Sequence, residues 1–313
     1  MAQVGRTPTP ASGRRRIDTR RRARRRALLA VTALALAVAL VANGGTFLRD
    51  LLGPSGCRSG MEALPEEAAD ALSGAVTAAA ALGEQQGLRT AVAVLDVRSG
   101  GCVLAGDDGD SFATASVVKV MIAARLLVTG ALTGPTADAA WAMITRSDDD
   151  AANQLWVQAG GPELEPWIEE HYGLSDLGSP NDIPGRWGNT HVSALGLAQL
   201  YRELVADPAV WPWLEQALHS MAGTAADGTD QRFGPAAVAP GAAVKQGWAG
   251  GSADDPQNAV VNSTGLVAGD RYAVVVLTEG RGNVAGCDSR GFQPDQAAVL
   301  TQMVTGLAPI LVS

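Results

Sequence analysis

Apolar and polar positions along the chain sort into blocks of two different periods. Residues 65–82 are alanine-rich, with Glu66, Glu67 and Asp70 in the opening turns, where negative charge offsets a helix dipole, and they predict a helix. Residues 90–97 form a short apolar run that predicts a buried strand, and Ser99-Gly100-Gly101 predicts a hairpin turn into a second strand over 102–105. The apolar stretch 116–127, and the apolar spacing over 137–144, 151–158, 163–171, 192–204 and 211–219, predict helices. The character then changes: 242–248, 257–267 and 271–278 read as strands joined by Gly- and Asp-bearing turns, and 295–311 closes the chain as a helix. No internal repeat is present.

The order of these elements is informative. Early and late strands must share one sheet if either is to bury its apolar face, which leaves the middle helices, about 113–235, as an inserted subdomain. A cleft is expected between sheet and insertion.

The first 60 residues are of a different kind. Of the chain's 24 basic residues, ten are arginines within the first 26 positions, against the single acid Asp18. From residue 27 onward 14 basic residues face 31 acidic ones, a body acidic enough to repel nucleic acid, so no nucleic-acid partner is expected. The arginine block (1–26) runs into an uncharged Ala/Leu/Val stretch, 27–48, whose helix would span about 33 Å, close to a bilayer's hydrocarbon thickness. Arginines on the N-terminal flank keep that end cytoplasmic and send the remainder across. The stretch is long and lacks a clean small-x-small site, so a membrane anchor is favoured over a cleaved signal peptide, which stays open as the alternative. Residues 49–61 form a linker, and 62–313 the folded domain. Cys57 lacks a leucine three residues before it, so no lipid attachment is expected there.

Lysine usage is the sharpest chemical clue. The chain has 22 arginines and only two lysines, Lys119 and Lys245. Arginine keeps its proton at any accessible pH, whereas a desolvated lysine can lose it and act as a base. Lys119 lies three residues after Ser116, a spacing that puts both side chains on one helix face, and its neighbours Val117, Val118, Val120, Met121 and Ile122 favour a neutral amine.

Ser116-Val117-Val118-Lys119, Ser147-Asp148-Asp149 followed by Asn153, and Lys245-Gln246-Gly247 stand in the order of the Ser-x-x-Lys, Ser-Asp-Asn and Lys-Thr-Gly elements. The sequence therefore resembles the class A β-lactamase and penicillin-binding protein family of serine hydrolases over roughly residues 62–313. The resemblance implies an α/β fold of α+β type: a five-stranded antiparallel sheet flanked by N- and C-terminal helices, with an all-helical subdomain inserted. It also implies roles. Ser116 attacks an amide or ester carbonyl and becomes acylated; Lys119 takes its proton; Ser147 relays that proton to the leaving group. Lys245 attracts the substrate's carboxylate and through its charge helps keep Lys119 neutral. Asp149, Gln246, Gly247 and Trp248 line the substrate position, with the backbone N–H groups of Ser116 and Trp248 as oxyanion donors. Asn153 braces the cleft wall. No cofactor or metal is implied, and the partners are a carboxylate-bearing small molecule or peptide and, through the N-terminal helix, the membrane.

Competing readings accompany these residues. Ser147 among acids also suits a helix cap, and Lys245 an edge-strand guard. His171, His191 and His219, and the tryptophans Trp141, Trp156, Trp167, Trp187, Trp211 and Trp213, read as surface or packing residues. Of the three cysteines, the expected antiparallel packing of the first helix on strand 90–97 brings Cys57 towards Cys102, and that disulfide is expected, with three unpaired thiols as the alternative.

The sequence also departs from the family pattern. Asp149 stands where the family has Asn, and Gln246 where it has Thr. The segment between Ser116 and Ser147 is shortened, and the loop 173–189 holds no glutamate to activate a deacylating water. A long-lived acyl-enzyme is the leading expectation, exported or membrane-anchored. A β-lactamase with a substitute base and a non-catalytic wall-binding module are the alternatives.

Overall fold

The computed structural model describes residues 58–59, 66–107, 111–174, 177–179, 186–251 and 257–311. The 1–26 arginine block, the 27–48 stretch and Cys57 lie outside them. Among the described residues no helix is long and apolar enough to cross a membrane.

Helix α1 (Glu66–Gln85) leads into strands β2 (Leu88–Asp96) and β3 (Gly101–Gly106), preceded by the two-residue β1 (Arg58–Ser59). After β4 (Phe112–Ala113) come a 3-10 turn (Ala115–Val118) and helices α2 (Lys119–Val128), α3 (Pro135–Thr145), α4 (Asp149–Gln158) and α5 (Leu164–Tyr172). Short strands β5 (Gly178–Ser179) and β6 (His191–Val192) precede α6 (Ala194–Ala206), α7 (Trp211–His219) and the four-residue α8 (Pro235–Val238). Strands β7 (Ala243–Ala249), β8 (Ala259–Val267) and β9 (Tyr272–Gly280) then lead to α9 (Pro294–Leu311).

The expected five-stranded antiparallel sheet is present in the order β3-β2-β9-β8-β7. Early and late strands meet where β2 pairs with β9, from Leu88↔Gly280 to Asp96↔Tyr272. One addition was not foreseen: β1 extends the edge in parallel, Ser59 opposite Cys102. A second small sheet, β4-β6-β5, also escaped the sequence reading, because strands of two residues carry no detectable period.

The sheet is covered on both faces, so β2 is buried almost throughout and runs apolar from Ala91 to Leu95 without alternating. Val92, Val94, Val274 and Val276 share one core with Leu72 and Val76 of α1 and Leu300, Met303 and Leu307 of α9. Ala91, Ala93, Leu95, Val275 and Leu277 share the other with Leu197, Leu200 and Tyr201 of α6 and with α2. At about 1.5–3 kcal/mol for each large side chain buried, these two layers dominate the driving force. The helical insertion thus docks on the face that carries Lys245.

Cys102 carries a disulfide and Cys287 is a free thiol; Cys57, its expected partner, lies outside the described residues. Non-reducing peptide mapping is expected to recover Cys57 joined to Cys102 and Cys287 open to alkylation; a fragment linked through Cys287 overturns the pairing.

Glu165, in the first turn of α5, is 1% exposed, and neither of its carboxyl oxygens has a hydrogen-bond partner among the described residues. Burial first, and the neighbouring Glu169 second, push its pKa up from 4.5 to about 8. The folded protein therefore holds a proton that the unfolded chain releases, and stability falls as pH rises through that window. Glu165→Gln is expected to stabilise the protein by about 1–3 kcal/mol in urea unfolding at alkaline pH, and to leave it unchanged at pH 4, where the glutamate is protonated in both states. Equal stability of variant and parent at alkaline pH refutes this account.

Candidate active site

Ser116 sits in the 3-10 turn that opens α2, and that turn explains how it meets Lys119. A 3-10 helix has three residues per turn, so positions i and i+3 eclipse one another. Ser116 and Lys119 thus share a face at the junction, and the backbone N–H of Lys119 donates to Ser116 O. Ala115, just before the serine, is left-handed at φ +46°, a conformation costing a non-glycine residue on the order of 1–3 kcal/mol unless its surroundings fix it.

Those surroundings are dense. Thr114 N–H donates to Thr190 O at 2.8 Å. Asn262, fully buried on β8, donates from Nδ2 to Ala113 O (2.8 Å) and Thr114 O (3.3 Å), while its Oδ1 accepts from Thr278 N–H (3.1 Å). Strand β7 presses on the turn through Gly247, where an added Cβ would stand 2.7 Å from Thr114 O and 3.2 Å from Ser116 N. Only glycine permits that approach.

Opposite the turn, Ser147 is also left-handed, at φ +52°, between α3 and α4. The helix cap that its sequence suggested belongs to its neighbour: Asp148 accepts from Ala151 N–H at 2.9 Å. The Ser147 hydroxyl is left to the two lysines. Lys119 Nζ donates to Ser147 O at 2.9 Å and lies 3.2 Å from its Oγ; Lys245 Nζ lies 3.0 Å from the same Oγ and donates to Gln246 O at 2.8 Å. Both lysines are fully buried. Lys245 therefore lies at the centre of this pocket, away from any edge-guarding role.

Burial lowers both amines. Lys245 is driven well below the ordinary lysine value, first by desolvation and then by Lys119, with Asp149 opposing. Lys119 is also lowered by desolvation, against the attraction of Asp149, Asp148 and Asp227. Its nearest contact is Asp149 Oδ1 at 2.5 Å, on a side chain 65% exposed. No hydrogen bond joins Lys119 Nζ to Ser116 Oγ.

The other residues singled out in the sequence fall into two groups. Gly247 and Trp248 flank the serine turn, and the Trp248 indole N–H donates to Asp227 Oδ2 at 3.3 Å. Gln246 points the other way, because side chains alternate along a strand. Its amide N–H groups are held by Gln231 O (2.9 Å) and Phe233 O (2.7 Å) in the loop before α8, so it anchors that loop and does not face the lysine pocket, where a substrate-lining role was expected. Asn153 Oδ1 accepts from Trp187 Nε1 at 2.8 Å, and the Trp187 ring faces Lys119 Nζ at 4.7 Å. Trp187 is thus part of the lysine wall, where the sequence reading assigned it to packing. The same tryptophan borders an open apolar cavity of about 560 Å³ with Asn153, Trp156 and Pro162.

Asn262 was missed as well. Its signal was present: Asn262-Ser263-Thr264 interrupts an otherwise apolar strand, and all three are fully buried. Thr264 Oγ1 donates to Lys245 O at 3.1 Å and contacts Tyr201 OH at 2.8 Å, fixing the lysine's strand from behind. Among the described residues one group has the makings of a metal site, Glu215, His219 and Asp270 on α7 and the β8–β9 turn, and it includes no residue of the lysine pocket.

No family model matches the sequence. The chain is 37% identical over 175 residues to a protein named "Putative lipoprotein LppW" in Mycobacterium tuberculosis and Mycobacterium bovis, over 52% of this chain and 54% of the relative. It therefore spans about half the length of the curated relatives it matches. Among solved structures, a class A β-lactamase representative from Bacteroides cellulosilyticus superposes with TM-score 0.60 at 13% identity, over 77% of this chain and 98% of that one. A β-lactamase from Xanthomonas campestris superposes with TM-score 0.58 at 17% identity, over 77% and 99%. The TLA-3 extended-spectrum β-lactamase gives 0.59 at 10% identity, over 77% and 100%. The chain has the fold of the class A β-lactamases.

Gly247→Ala is expected to cost about 1–3 kcal/mol in urea unfolding, because the methyl group must displace either β7 or the Ser116 turn. Stability equal to the parent's would mean that the two backbones are not held in contact.

Proposed function

We propose that this protein is an exported serine hydrolase that forms an acyl-enzyme on Ser116 with a carboxylate-bearing amide or ester, of the β-lactam or cell-wall peptide type. One observation carries the reading: the only two lysines of the chain, both fully buried, converge on the Ser147 hydroxyl, and one of them, Lys119, stands one 3-10 turn after Ser116, whose turn opens on the left-handed Ala115. A fold does not by itself require that arrangement.

The geometry supports the following steps. Substrate enters with its carboxylate against Lys245, and that negative charge restores the proton which burial disfavours on this amine. A charged Lys245 in turn favours proton loss from Lys119. Ser116 Oγ attacks the carbonyl carbon and its proton passes to Lys119. The developing oxyanion is received by the backbone N–H groups of Ser116 and Trp248, a reading that the close approach of Gly247 to the serine turn supports. The proton travels from Lys119 through the Ser147 hydroxyl to the leaving nitrogen or oxygen, and the C–N or C–O bond breaks. Water completes the cycle by hydrolysing the ester. With no glutamate in residues 173–189 to activate that water, the ester is long-lived. Export agrees with the lipoprotein name of the mycobacterial relatives, and attachment through the 27–48 stretch is the mode this chain's sequence favours.

Incubation of the protein with a fluorescent penicillin is expected to give a stable adduct on Ser116, mapped by mass spectrometry and abolished in Ser116→Ala. Its rate is expected to rise with pH and to level off below the ordinary lysine pKa of 10.5, since Lys119 is lowered. Rapid release of hydrolysed penicillin would instead identify a β-lactamase with a substitute base. The absence of any adduct would leave a binding module.

A further inference from the structure

Lys119 is fully engaged, and not by the serine it is expected to activate. An ammonium group has three N–H donors and no acceptor. Three acceptors surround Lys119 Nζ: Ser147 O at 2.9 Å, Ser147 Oγ at 3.2 Å and Asp149 Oδ1 at 2.5 Å. As a neutral amine, the nitrogen would give its two N–H groups to the two non-hydroxyl oxygens, and its lone pair would accept from the Ser147 hydroxyl. In either protonation state nothing is left for Ser116 Oγ. The carboxylate then decides which state prevails, since a charge-assisted contact of this length with a buried nitrogen favours the ammonium. The face of Trp187, 4.7 Å away, favours the same state.

We infer that Asp149 is a charge lock on the general base: in the resting protein it holds Lys119 as an ammonium directed away from Ser116, and acyl transfer begins only when Asp149 releases it. The consequence for acylation rests on the serine-hydrolase reading; the lock itself does not. Two features separate it from an incidental ion pair. The lysine is buried while the Asp149 side chain is 65% exposed, so rotating one side chain into water breaks the contact without disturbing the core. Nor is Asp149 needed as the cap of α4, because Asp148 fills that role. Asp149 is thus a positioning residue acting through Lys119.

The charged groups that face Lys119 are Asp149, Asp148 on the cap, Asp227 beneath Trp248, and Lys245. Asp149→Asn removes one of them and keeps its shape. A chain with only two lysines permits a direct reading: full-length protein labelled with 13C at lysine Cε gives two side-chain signals, assigned by Lys245→Met, each followed through a pH titration. The Lys119 midpoint is expected to fall by at least one pH unit in Asp149→Asn, a tenfold loss of proton affinity. It should stay put in Asp150→Asn, which removes an equally helix-favourable acid from the same first turn of α4. Fluorescent penicillin should then label Ser116 about tenfold faster in Asp149→Asn than in the parent at pH 7. A Lys119 midpoint unchanged in Asp149→Asn, or lowered equally in Asp150→Asn, overturns the lock. A midpoint that falls selectively while neither protein is acylated upholds the lock and overturns the serine-hydrolase reading. Circular dichroism and thermal melting confirm that each variant is folded.

Discussion

Two amines and one hydroxyl, all withdrawn from water, set the terms for the rest of this molecule. Removing an ammonium group from solvent costs several kcal/mol even after the protein relaxes around it, and besides the shared Ser147 hydroxyl only two carbonyls and the Asp149 carboxylate offset that cost. The arrangement persists because the backbone around it is over-determined. Ala115 and Ser147 are both held left-handed, and Asn262 spends its whole amide on three backbone groups. Gly247 lets a strand touch the serine turn.

The pocket is divided between layers. Lys245 and Gly247 come from the sheet, Ser116, Lys119 and Ser147 from the helical insertion, and neither set encloses an amine alone. Gln246 shows how the alternation of a strand serves this division: its neighbours on either side reach the insertion, while its own amide secures the loop before α8. One strand thereby holds the pocket on one face and its supporting loop on the other. Docking the two layers and assembling the candidate site are the same event.

What the sequence disclosed, and what it withheld, follows from the range of the interactions. Long periodic elements were legible, as were the two lysines, because scarcity of a residue type survives any folding. The serine–lysine spacing was legible too, although the turn that realises it is 3-10, where the pattern suggested a continuous α-helix. The cap on Asp148 and the orientation of Gln246 needed backbone geometry that a one-residue shift reverses. The role of Asn262 depends on contact with residues about 150 positions earlier, and Trp187 reaches back to Asn153 and Lys119. The departure at position 149 was visible in advance, but its meaning required the distance to Lys119.

The burial of both lysines also determines what the outside of the molecule lacks. Both its side-chain amines are enclosed, while guanidiniums such as that of Arg232 meet solvent. Reagents that acylate or reductively methylate amines therefore find neither lysine exposed while the two layers stay packed. Uptake of such a label at either lysine reports that the two layers have parted, which gives this protein a built-in chemical gauge of its own opening.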